Sequence, residues 1–178
     1  TVFTTSWEGE IPAWLTVTCR EVRGRSNHER MQGFGEFASA YADIGDFDQV
    51  VGFNKLSGLD TYYAADSCYQ DRVRRLRTPL YRMMPRYRKY VELESSVFST
   101  GQKTRILMIS GAEIPIFQKY YGTETGRMVL LPPGIRQDRA MPADYVEKRK
   151  EFRANWALSD DEQLVLMVGS GFKTKGLD

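Results

Sequence analysis

Short apolar runs of four to six residues, set between stretches of helical spacing, constrain this chain more than any other feature. Ile106–Ser110 (I-L-M-I-S) and Leu164–Val168 are too short for buried helices, so they read as strands covered on both faces. Thr1–Thr5, Leu15–Val22, Gln49–Asn54, Thr61–Asp66 and Arg127–Leu131 read as further strands. Helical spacing predicts Asn27–Ala42 (weakened by Gly33 and Gly35), Ile114–Tyr121 and Pro142–Ala157, the last carrying Tyr145, Phe152 and Trp156. Strands alternating with helices predict an α/β fold on a mostly parallel sheet.

The chain of 178 residues is 42% hydrophobic and 27% charged, which excludes wholesale disorder and low-complexity architectures. No window approaches the ~18 consecutive apolar residues of a membrane span. Cys19 and Cys68 are too few for a disulfide framework or a four-ligand zinc site, and read as reduced, partly buried thiols. His28, the single histidine, sits beside a helix start and reads as a surface or capping residue. A buried strand at Leu164–Val168 followed by only ten residues reads as part of a larger protein with both ends missing. Leu131-Pro132-Pro133-Gly134-Ile135 reads as a stiff crossing between two domains.

Three constellations could carry chemistry. After the strand ending near Phe53 come Asn54, Lys55 and Asp60, and Asp66 ends the next strand. Parallel sheets bind ligands outside their carboxyl ends, which is where these polar residues are expected. Asp66 is equally placed to cap a helix opening at Ser67. The second constellation, Gln70–Val91, sets eight basic residues against one acid, while the whole chain is only +2. Tyr69, Tyr81, Tyr87 and Tyr90 interleave with the charges, and Met83-Met84 adds an apolar tip. Pro79 ends a first helix and Pro85 starts or kinks a second, with Arg82, Arg86 and Lys89 on one stripe. Such an element suits an anionic membrane surface or nucleic-acid phosphates. The body outside it is net acidic and would repel a polyanion, so a nucleic-acid module on residues 72–89 is the second choice. The third constellation, Gly169-Ser170-Gly171-Phe172-Lys173-Thr174-Lys175-Gly176, is a glycine-rich turn suited to phosphate. It fails the P-loop pattern at Phe172 and the G-x-G-x-x-G pattern at Thr174.

The blocks V-V-G-F-N-K-L-S-G-L-D-T-Y-Y-A-A-D-S-C-Y, S-W-E-G-E, L-P-P-G-I-R-Q-D-R and G-S-G-F-K-T-K-G-L-D closely resemble the lipopolysaccharide core glucosyltransferase I family. The resemblance runs in order along essentially the whole chain. It implies a truncated part of a two-domain, Rossmann-like GT-B glycosyltransferase of family 4. Residues 1–131 would form the acceptor-binding domain without its first strand and helix, 132–141 the crossing, and 142–178 the start of the nucleotide-sugar domain.

By that resemblance the full enzyme retains configuration while moving a hexose from a nucleotide diphosphate sugar, UDP-glucose on the family's example, to an inner-core heptose. No metal or other cofactor is implied, and the nucleotide sugar is a substrate. Lys175, with Gly171, would meet the donor diphosphate. Some members carry an arginine immediately before that lysine, and where Thr174 stands here, Lys173 is the candidate second charge. Asp66 would be the catalytic residue, with Asn54, Lys55 and Asp60 toward the acceptor. Arg82, Arg86 and Lys89 would hold the protein to the cytoplasmic face of the inner membrane, without a nucleic-acid partner. With most of the donor domain beyond Asp178, these residues alone are expected to be inactive.

Overall fold

The structure is a computed structural model that describes residues 1–45 and 47–166. The chain divides into two compact units, Thr1–Pro133 and Gly134–Asp178.

In the first unit, β1 (Val2–Thr4) pairs in parallel with β2 (Val17–Cys19). A four-stranded parallel sheet follows in the order β3 (Val51–Gly52), β4 (Thr61–Ala64), β5 (Arg105–Met108), β6 (Met128–Leu130). The expected α/β fold with parallel strands is therefore present. Register sets Tyr62 beside Ile106 and Ile106 beside Met128, so one row of side chains crosses three strands on a buried face. Helices α1 (Asn27–Ile44), α2 (Tyr69–Leu76), α3 (Pro85–Phe98) and α4 (Ile114–Tyr121) complete the unit.

Two prolines divide the basic segment. A 3-10 turn over Pro79–Met83 separates α2 from α3, and Pro85 starts α3 at its first turn, where a missing N–H costs nothing. Arg82 therefore lies outside the helix that carries Arg86 and Lys89, so the three do not share one stripe. Pro115 similarly opens α4, and Gly122 closes it in the left-handed region at φ 65°. Ser26 caps α1 by accepting the Glu29 N–H, while His28 in the first turn holds Nε2 3.4 Å from the Ser26 hydroxyl.

The core centres on Phe98 and Phe117, stacked at 3.7 Å with Tyr62 edge-on to Phe98. Full burial of each such ring is worth about 1.5–3 kcal/mol. Between β3 and β4 the connection over residues 53–60 contains no helix and instead inserts Leu56 and Leu59 into the core. Gly52 makes room for this, because a Cβ there would lie 2.4 Å from Leu59 Cδ1.

Several strands are shorter than the sequence suggests. The expected strand Gln49–Asn54 reduces to two residues, and Val51 is half exposed, because β3 has a ladder partner on one side only among the described residues. Leu15–Val22 likewise contracts to β2. The expected buried strand Leu164–Val168 is not present over Leu164–Leu166, where Val165 is 91% exposed; Met167 and Val168 lie outside the described residues. In the second unit α5 spans Tyr145–Asn155, three residues later than expected at its start, and Phe152 and Trp156 remain exposed. Cys19 is exposed and Cys68 buried, both as free thiols. No helix among the described residues is long and apolar enough to cross a membrane.

Arg127 closes the carboxyl end of α3. Its guanidinium donates to the carbonyls of Val97 (3.0 Å), Thr104 (3.0 Å), Phe98 (3.2 Å) and Ser99 (2.9 Å), and its Nε to Glu124 at 2.7 Å. All five donors are used, which an ammonium with three cannot reproduce. Arg127→Lys should therefore destabilise the protein by about 2 kcal/mol, lowering the melting temperature by about 4–8 °C. An unchanged melting curve would remove the capping role.

Candidate functional site

The in-register parallel ladder brings the carboxyl ends of β3 and β4 side by side, so Asn54 and Asp66 emerge at the same end of the sheet. Both are exposed. Asn54 also lines a cavity of about 1130 Å³ that runs between β1, β3 and α1, bordered by Thr4, Arg30, Phe34 and Phe53. Asp66 is not among its lining residues.

Asp66 does not cap a helix. α2 begins at Tyr69, preceded by Cys68 with no side-chain cap, and its free N–H groups are held from elsewhere. The Cys68 N–H donates to Glu113 at 3.0 Å, and those of Tyr69 and Gln70 donate to Glu94 at 2.9 and 3.1 Å. A carboxylate at a helix amino end is favoured by both hydrogen bonding and the helix dipole. With that position filled by Glu94 and Glu113, Asp66 is left at the sheet's mouth with its carboxylate turned to solvent.

Two residues expected at this mouth are placed elsewhere. Asp60 follows β3 but lies directly before β4, at the amino end of the sheet, and its carboxylate accepts the Val50 N–H at 2.8 Å. Lys55 follows β3 as expected, but its ammonium turns inward to Glu94 at 2.5 Å. There it lies over the Phe98 and Phe117 rings, at 5.9 and 5.8 Å from their centroids. Lys173, Gly171 and Lys175 fall outside the described residues.

Glu94 is fully buried. Besides Lys55 and the two helix N–H groups it accepts from Tyr121 Oη at 2.7 Å, with the Cys68 thiol 3.6 Å away. Burial, followed by the Glu94 charge, pushes the Cys68 thiol up to about 12 and raises the Tyr121 phenol well above its ordinary value. Among the described residues, no group of three or more His, Cys, Asp and Glu side chains converges as a metal site.

The basic segment forms a second surface. Arg72, Arg77 and Arg86 lie over the rings of Tyr69, Tyr81 and Tyr90 at 5.5–5.7 Å. Leu80 and Met83 project from the turn between α2 and α3, 75% and 68% exposed. Arg82 and Arg86 are exposed, whereas Lys89 is drawn into an ion pair with Glu92 at 2.9 Å and is largely covered.

No protein-family model matches the chain. It is 37% identical over 177 residues to the lipopolysaccharide glucosyltransferase WaaG of Escherichia coli K12, covering 99% of this chain and 47% of that protein. The crystal structure of WaaG, described as a glycosyltransferase involved in lipopolysaccharide biosynthesis, superposes with a TM-score of 0.84 at 36% identity, over 98% of this chain and 47% of the other. The chain is related to WaaG along its whole length. It spans about half the length of that relative.

In this WaaG-like unit the sequence reading missed Glu94 and Arg127. The signal for Glu94 was present: Tyr87, Glu94 and Phe98 recur at helical spacing and all three are buried. An acid on an apolar stripe marks a buried carboxylate with partners waiting. Arg127 gave no such signal, since the carbonyls it caps come from α3 and the segment after it.

The thiols give a direct check on the buried cluster. Iodoacetamide at pH 8 should alkylate Cys19 in the folded protein and leave Cys68 unmodified until denaturant is added, because only the thiolate reacts. Equal labelling of both by mass spectrometry would contradict the burial of Cys68 beside Glu94.

Proposed function

We propose that the full-length protein to which this chain belongs is a retaining hexosyltransferase of lipopolysaccharide core synthesis. It would transfer a hexose, glucose from UDP-glucose by family resemblance, to an inner-core heptose. Asp66 is the observation that carries the reading. It is an exposed carboxylate at the carboxyl end of β4, freed from capping by Glu94 and Glu113. That is the sheet edge at which parallel α/β folds place their ligands.

In this reading Asp66 accepts a hydrogen bond or proton from a reacting hydroxyl. Asn54, two residues beyond β3, offers an amide to the acceptor sugar. Lys175 and Lys173 stabilise the charge that develops on the departing diphosphate, with Gly171 letting the backbone approach, and no metal takes part. The reacting groups belong to two domains, so residues 1–178 alone would be inactive.

In the full-length enzyme, Asp66→Asn should lower kcat by about 10²-fold or more with donor KM nearly unchanged, because the interaction strengthens in the transition state. The melting temperature should stay near that of the parent. An unchanged kcat with a lower melting temperature would make Asp66 a structural residue.

The exposed Leu80 and Met83, in the same segment as Arg77, Arg82 and Arg86, support attachment to the anionic cytoplasmic face of the inner membrane. Each arginine near an anionic leaflet adds about 1 kcal/mol, so the attachment would be reversible. Replacing Arg82 and Arg86 by Gln should weaken partitioning onto anionic vesicles by about 30-fold, the equivalent of about 2 kcal/mol. Neutral vesicles should bind neither form. Displacement from anionic vesicles by nucleic acid at physiological salt would favour a nucleic-acid surface instead.

A further inference from the structure

The two side chains left at the sheet's mouth are carried by separate loops that no shared ladder hydrogen bond reaches. Asn54 sits beyond β3 and Asp66 beyond β4, and one buried group touches both loops. Glu94 Oε1 accepts from Lys55 Nζ, the residue next to Asn54, at 2.5 Å and from the Tyr69 N–H at 2.9 Å. Glu94 Oε2 accepts from the Gln70 N–H at 3.1 Å and from Tyr121 Oη at 2.7 Å. Lys55 Nζ also approaches the carbonyl of Ser67, next to Asp66, at 3.5 Å. Its ammonium also lies over the stacked Phe98 and Phe117 rings.

From this juxtaposition we infer that Glu94 is a positioning residue, which holds the Asn54 and Asp66 loops at one separation through Lys55 and the amino end of α2. The inference rests on the reading of Asp66 as the reacting carboxylate. Glu94 touches neither substrate; it lies about one turn before the carboxyl end of α3, which Arg127 caps, so its carboxylate is anchored to a fixed element. Lys55 on one side and the Tyr69 and Gln70 N–H groups on the other donate charge-assisted hydrogen bonds to that anchor. A displacement of one loop by about 1 Å would misalign the two mouth residues, and misplacement on that scale can cost 10²-fold in rate.

Removing only one partner leaves a buried charge uncompensated, whereas removing both does not. Stability and positioning can therefore be separated in the full-length enzyme. Glu94→Gln should lower the melting temperature markedly. The double variant Lys55→Met/Glu94→Gln should recover it to within a few degrees, while kcat stays about tenfold or more below the parent at unchanged donor KM. Amide hydrogen exchange in the double variant should accelerate at residues 53–56 and 65–70 and nowhere else.

Return of kcat together with the melting temperature would overturn the inference, as would unchanged exchange in those two segments. Should the double variant fail to fold, Lys55→Arg retains a cation at Glu94 but shifts the Asn54 loop by its longer, forked head. It should lower kcat with donor KM unchanged, and a parental kcat would overturn the inference. Asp66→Asn separates the two levels. An impaired Asp66→Asn beside a fully active double variant removes the positioning role alone. A parental kcat in Asp66→Asn removes the reading beneath it and the inference together.

Discussion

A single buried carboxylate governs the first unit. Glu94 sits on the apolar face of α3, and an isolated charge there would cost several kcal/mol. Its cost is offset only while Lys55, two backbone N–H groups and a tyrosine hydroxyl converge on it. These donors come from three places: the connection after β3, the start of α2 and the end of α4. Four elements must therefore arrive together, which makes the network a specifier of arrangement as much as a source of stability. The aromatic stack of Phe98 on Phe117 shields the cluster from water and shares the lysine with it.

The second fixed point is the carboxyl end of α3, about one turn beyond Glu94. Arg127 gathers the last carbonyls of that helix together with that of Thr104, just before β5, and Glu124 completes its hydrogen bonding. The Glu124 carboxyl is held down at about 2, first by the Gly101 N–H and then by further hydrogen bonds that include Arg127. A carboxyl lowered in the folded state contributes its stability above its ordinary range and loses it as pH falls toward 2. Both anchors hold the carboxyl-terminal turns of α3. The basic surface hangs from its amino end, where prolines fix the turn and tyrosine rings hold the arginines.

Local signals in the sequence were sufficient wherever the determining chemistry is local. Ile114–Tyr121 is recovered to the residue because Pro115 opens the helix and Gly122 closes it. The parallel α/β class followed from strand and helix alternation, and Asp66 and Asn54 from where strands end. What failed depended on partners distant in sequence. Lys55 read as a residue facing the acceptor because the carboxylate that draws it inward is 39 positions away. Asp60 read as a mouth residue because a loop's sequence does not mark where the chain turns back to the other end of the sheet. Leu164–Leu166 has the composition of a buried strand, yet composition supplies no neighbour to pair with.

The helix-free connection between β3 and β4 has a consequence for the order in which this unit assembles. Val51 pairs with Thr61 only ten positions on, whereas Thr61 pairs with Arg105 forty-four positions on. Chain closure costs grow with the logarithm of loop length, so the first pairing is cheaper by about 1 kcal/mol in entropy. Parallel strands usually need a longer excursion, and few such pairs are local. Here the β3–β4 junction can form early, with Leu56 and Leu59 as its own small apolar seed. The long crossover bearing α2 and α3 then has a template on which to land. Folding speed should be set by that later, distant closure rather than by the junction itself.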